Sequence, residues 1–195
     1  MGLSRRKDFV NDCFELVLYA ATVISLVYFL LQGNSAKLMQ AVFIVGTLLL
    51  LRIILKLTHT ELFPVLRFSV LTFIFITMIF ANFWGFYGVI PYLDKIEHLL
   101  SGFILCFVGL VIFKKLAKSE LPSPLYASLA SWFSLFFAVG MAGCWEIFEF
   151  TGDRLLGFHS QGGSLVDTMA DIICCTVTAI PAALYIRLRG AVKEP

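Results

Sequence analysis

The sequence predicts an all-α integral membrane protein, a six-transmembrane-helix bundle with both termini cytoplasmic. Three observations carry that prediction. The 195 residues are 59% hydrophobic and only 14% charged, whereas a soluble domain carries roughly 25% charged residues. Apolar runs of about 20 residues recur along the chain, long enough at 1.5 Å per residue to cross the hydrocarbon layer. The basic residues gather at alternate ends of those runs, the pattern that sets orientation.

The spans fall at residues 13–31, 37–57, 65–84, 95–113, 125–150 and 165–186. The first follows a basic segment, but its length and the lack of a small-x-small site mark an uncleaved anchor rather than a signal peptide. Pro64 opens the third span and Ser123-Pro124 the fifth, since a proline in the first helical turn forfeits no hydrogen bond. Pro181 lies inside the sixth and predicts a kink toward its cytoplasmic end. Gly102 and Gly109 on the fourth span, and Gly140, Ala142 and Gly143 on the fifth, predict close helix packing. No repeat, low-complexity segment or linker divides the chain, so residues 1–195 read as one polytopic domain.

Orientation follows from the basic residues. With the N-terminus inside, Arg5, Arg6, Lys7, Arg52, Lys56, Arg67, Lys114, Lys115, Lys118, Arg187, Arg189 and Lys193 fall on the cytoplasmic side. Lys37, Lys95 and Arg154 fall outside, so twelve of the 15 basic residues obey the positive-inside rule. Trp84, Tyr87, Tyr92 and Trp145 then form an aromatic belt at the outer interface. This places the protein in the inner (plasma) membrane, with the lipid bilayer as its first partner. A net charge of +2 is too small to suggest nucleic acid. The five cysteines, an odd number without CxxC spacing, read as small apolar residues rather than disulfides or zinc ligands.

The acidic residues are the informative ones. Asp94, Glu97, Glu146, Glu149, Asp153, Asp167 and Asp171, seven of the 13, lie at the predicted outer ends of the last three spans. Lys95, His98, Arg154 and His159 share that region. Helical spacing sets Asp94, His98 and Ser101 on one face of the fourth span. It does the same for Glu146, Glu149 and Asp153 on the fifth, and for Asp167 and Asp171 on the sixth.

Some of these fit helix capping. Asp94 and Asp167 read equally as caps or as ligands. Glu97 reads as the third helical residue of a capping box. Asp153 and His159 read as solvated loop residues. Glu146 and Glu149 resist that treatment, because they are placed at a helix C-terminus where the dipole opposes an anion. Asp171 and His98 lie a turn inside their spans, where ionisable groups are expensive and serve function by default.

Carboxylates with one histidine suit a divalent ion that favours oxygen ligands, Mg²⁺ or Mn²⁺, with Zn²⁺ as the alternative. Asp94, His98, Glu146, Glu149, Asp167 and Asp171 are the candidate ligands. His98, Glu146 and Asp171 are the candidate catalytic groups. Lys95, Arg154 and Gln161 are candidates for holding the anionic part of a lipid-linked or phosphate-bearing substrate.

The segments "LDKIEHLLSGF", "WEIFEF" and "SQGGSLVDTMADIICC" resemble the YjdF-type inner-membrane proteins and, more distantly, the VanZ-like membrane proteins linked to glycopeptide resistance. The residues that carry the likeness are Asp94, His98, Gly102, Glu146, Gln161, Gly162, Asp167, Thr168 and Asp171, within residues 60–186. The resemblance implies a fold and a set of positions but no reaction. No HExxH, P-loop, nucleophile elbow or serine–histidine motif adds one. Three function classes follow: an enzyme on an envelope substrate, a small ion- or proton-coupled transporter, and a non-catalytic protein of envelope stress or resistance. The transporter is disfavoured because the inner halves of the spans are almost wholly apolar.

Overall fold

The computed structural model describes residues 2–117, 123–156 and 164–191, and every regular element among them is helical. Helix α1 spans Gly2–Leu31, α2 Ser35–Leu57 and α3 Pro64–Ile74. Helix α3 continues as a π-helical segment over Phe75–Phe83, followed by a single 3₁₀ turn at Phe86–Gly88. Helices α4 (Leu93–Ala117), α5 (Pro124–Leu156) and α6 (Leu165–Ala191) follow. Among the described residues, six helices are long and apolar enough to cross a membrane. Their outer faces expose large apolar residues such as Leu16, Ile24, Phe136, Ile147 and Val177. Water would penalise that surface and lipid does not.

The chain forms two compact units, Met1–Pro91 and Tyr92–Pro195. In the first, Leu18 of α1, Ala41, Ile44 and Leu48 of α2, and Leu71, Ile74, Ile79 and Phe83 form a core. Pro64 takes the first position of α3, as its missing N–H allows. Asn11 Nδ2 donates to the Pro64 carbonyl at 2.9 Å and ties α1 to that start. At the other end, Lys37 Nζ donates to the Phe83 carbonyl at 2.5 Å, giving the end of the π-helical segment a cationic partner.

The second unit packs α4, α5 and α6 against one another, with contact geometry set by small residues. A Cβ on Gly102 would overlap the Cys175 carbonyl and Thr178 Oγ1, and one on Gly109 would lie 3.0 Å from Ser134 Cα and Phe137 Cβ. Thr178 Oγ1 donates to the Leu99 carbonyl at 2.6 Å, and Ser131 Oγ to the Ala183 carbonyl at 2.7 Å. These bonds fasten α6 to α4 and to α5. Between lipid-facing helices, such close packing and polar bridging replace the hydrophobic effect as the source of association. Cys106, Ala130, Ala138, Ala179, Ala182, Ala183 and Ile186 fill the interior with small, mostly apolar side chains.

Several expectations need correction. A Cβ on Gly140 or Gly143 would meet nothing within 4 Å, so of the three small residues expected to pack on α5 only Ala142 is buried, with Ala138 beside it. Helix α5 continues to Leu156, which places Asp153 inside the helix rather than in a loop. His159 lies outside the described residues.

Candidate functional site

The site belongs to the second unit and is built from three helices. Tyr92 has φ +60°, and its carbonyl accepts the first helical bond from the Ile96 N–H at 3.1 Å. Helix α4 therefore starts at Leu93, and Asp94 is not the cap but a residue of the first turn. Lys95 follows it, and His98 stands one turn above Asp94 on the same face. Ser164 caps α6 by accepting the Asp167 N–H at 3.1 Å, which leaves the Asp167 carboxylate free to reach across to α4. Asp171 lies one turn further in.

Lys95 is the hub. Its Nζ lies 3.1 Å from Asp94 Oδ2, 2.5 Å from Asp167 Oδ1 and 2.7 Å from Asp171 Oδ1. Next to it, His98 Nε2 faces three carboxylate oxygens: Asp94 Oδ1 at 3.6 Å, and Glu146 Oε1 and Asp171 Oδ1 at 3.8 Å each. All three distances exceed hydrogen-bonding range. Asp171 is 2% exposed, Glu146 4% and His98 7%. Lys95 thus pairs with three aspartates, while Glu146 approaches the imidazole of His98.

Ligand atoms of Asp94, His98 and Asp171 lie within 4.8 Å of one another, close enough together to hold a metal ion. Glu146 approaches from α5 on the His98 side, and Asp167 flanks the group on the Lys95 side. Glu149 accepts a 2.9 Å hydrogen bond from Trp145 Nε1 and stands outside that group. Arg154 is exposed, its guanidinium 5.5 Å from the Phe150 ring centroid. Gln161 lies outside the described residues.

Two sequence arguments fail on geometry. Glu146 and Glu149 are not at a helix C-terminus, because α5 continues beyond them to Leu156. The dipole penalty, confined to the last turn, does not apply to Glu146. Burial is what makes that residue expensive. Because α4 starts at Leu93, Glu97 is its fifth residue rather than the third of a capping box, and it is 4% exposed.

Sequence reading also missed an ionic network in the first unit. Arg67 Nη2 lies 2.6 Å from Asp12 Oδ1 and 2.7 Å from Glu15 Oε2, while Arg52 Nε approaches Glu15 Oε1 at 3.7 Å. A cavity of about 90 Å³ opens beside these residues, lined by Glu15, Leu51, Arg52, Leu55, Arg67 and Leu71. The signal was Glu15 itself, an acid inside an apolar run.

Fold and site together define an α-helical, multi-pass membrane protein with a buried ionic cluster at one end of a three-helix unit. Residues 14–191 match a family described as predicted membrane protein (DUF2238), and the chain belongs to that family. It is similar to an uncharacterized protein of Thermotoga maritima, 29% identical over 118 residues, which cover 60% of this chain and 59% of the relative. The match thus spans less than two thirds of that relative's length. No solved structure matches.

Proposed function

We propose that the protein binds a divalent cation, Mg²⁺, Mn²⁺ or Zn²⁺, through Asp94, His98 and Asp171. In this reading it uses the ion on a phosphate-bearing or lipid-linked envelope substrate. One observation carries the proposal. His98 Nε2 and its carboxylate neighbours are 3.6–3.8 Å apart, too far to bond directly. Two ligands that share an ion at about 2.0–2.2 Å stand roughly 3–4 Å apart, as these do.

In this proposal Asp94, His98 and Asp171 hold the ion, and Glu146 buttresses the imidazole from α5. The ion would supply Lewis acidity toward a phosphoryl oxygen. Lys95 would meet the anionic part of the substrate. The apolar interior formed by Cys106, Ala130, Ala138 and Ala179 supports a site closed on that side over a through-path for ions. The positive-inside pattern supports a site at the outer face of the plasma membrane. The resemblance to YjdF-type proteins is part of this reading, whereas a resistance role like that of the VanZ-like proteins is not.

Metal content tests the proposal. Protein purified in detergent and equilibrated with Mn²⁺ should retain about one ion per chain, as a single three-ligand group allows. Asp171→Asn should lose it while keeping its helical circular dichroism. Equal metal content in both proteins would contradict the assignment.

A further inference from the structure

We infer that Lys95 is a tethered cation occupying the carboxylates that a divalent ion needs, so that metal binding and Lys95 release are one exchange. This rests on the metal reading above and adds to it a built-in competitor and a destination for the lysine.

The two cations claim the same oxygens. Asp171 Oδ1 lies 2.7 Å from Lys95 Nζ and 3.8 Å from His98 Nε2, so it serves the ammonium and borders the metal group at once. Asp94 divides itself the same way, with Oδ2 on Lys95 at 3.1 Å and Oδ1 toward His98 at 3.6 Å. An ion bound by Asp94, His98 and Asp171 would therefore stand beside an ammonium. Like charges that close repel, the more so beside the buried Asp171 and His98.

The ammonium is the mobile member. It rides on a flexible four-carbon stem, whereas Asp171 and His98 are fixed on packed helices. Asp167 offers it a foothold outside the metal group, at 2.5 Å and with a partly exposed side chain. A lysine moved to that side keeps its proton and its charge and can pair with an anionic oxygen. A phosphate suits it, because lysine binds phosphate as a point charge. Substrate phosphate would then favour the displaced lysine, and the displaced lysine would favour the ion. In the absence of substrate, Lys95 occupies the oxygens of Asp94 and Asp171 and keeps the affinity for the ion low.

The test is Mn²⁺ affinity, measured by equilibrium dialysis on detergent-solubilised wild-type protein and on Lys95→Met and Lys95→Gln. Lys95→Gln keeps a hydrogen-bond donor for the buried acids if the methionine variant folds poorly. Removing the competing charge should tighten Mn²⁺ binding by about tenfold or more in either folded variant. Wild-type binding that is matched or weakened in both variants would overturn the exchange and leave Lys95 a structural counter-ion, with the metal reading intact. Failure of all three proteins to bind Mn²⁺ would overturn the metal reading and this inference together.

Discussion

Gly102 shows what a single residue decides in the second unit. Its missing side chain lets α4 and α6 touch, because a methyl group there would overlap the Cys175 carbonyl and Thr178 Oγ1. The clash is with backbone, which cannot swing away. Gly102→Ala should destabilise the protein by about 1–3 kcal/mol, the usual cost of overpacking. It should also loosen the bond from Thr178 to Leu99. Gly143→Ala meets nothing within 4 Å and should not destabilise, gaining up to about 1 kcal/mol from helix propensity. Thermal unfolding of both variants in the same detergent checks the contrast, and equal melting temperatures would refute the close approach. Both glycines were visible in the sequence as candidates for packing. Only the helix phase, set by neighbours, separates the one that packs from the one that faces outward.

At the scale of helices, the six apolar runs were legible because hydrocarbon thickness imposes their length. Their ends were not. Hydropathy stops where the chain leaves the hydrocarbon, while backbone hydrogen bonding carries α5 on to Leu156 and α4 to Ala117. The extra turns moved Glu146 and Glu149 away from a helix end and removed the dipole argument made for them. The π-helical stretch over Phe75–Phe83 has no composition that marks it. The orientation proposed from the basic residues belongs to this scale. Gly88 is an open position in the connection that precedes α4, so Gly88→Cys is well tolerated sterically. In a background lacking the exposed Cys13 and Cys144, an impermeant thiol reagent should label it in intact cells. Labelling only after lysis would invert the topology and put the acidic site in the cytoplasm.

For the whole molecule, most of the candidate site could be read from the sequence, and its internal organisation could not. Asp94, Lys95, His98, Glu146, Asp167 and Asp171 were all nominated by charge in a greasy context. That Lys95 bridges three of the aspartates depends on how α4 and α6 pack. The Arg67–Glu15–Asp12 network escaped notice because Arg67 satisfies the positive-inside rule. That left no reason to seek its partners.

The central claim is that Asp94, His98 and Asp171 hold a divalent ion, and nitrogen coordination tests it most directly. Pulsed electron paramagnetic resonance of Mn²⁺ bound to the purified wild-type protein should show modulation from one directly bound histidine nitrogen. His98→Gln should abolish that modulation. Bound Mn²⁺ with no nitrogen coupling, or coupling that survives His98→Gln, would contradict the site.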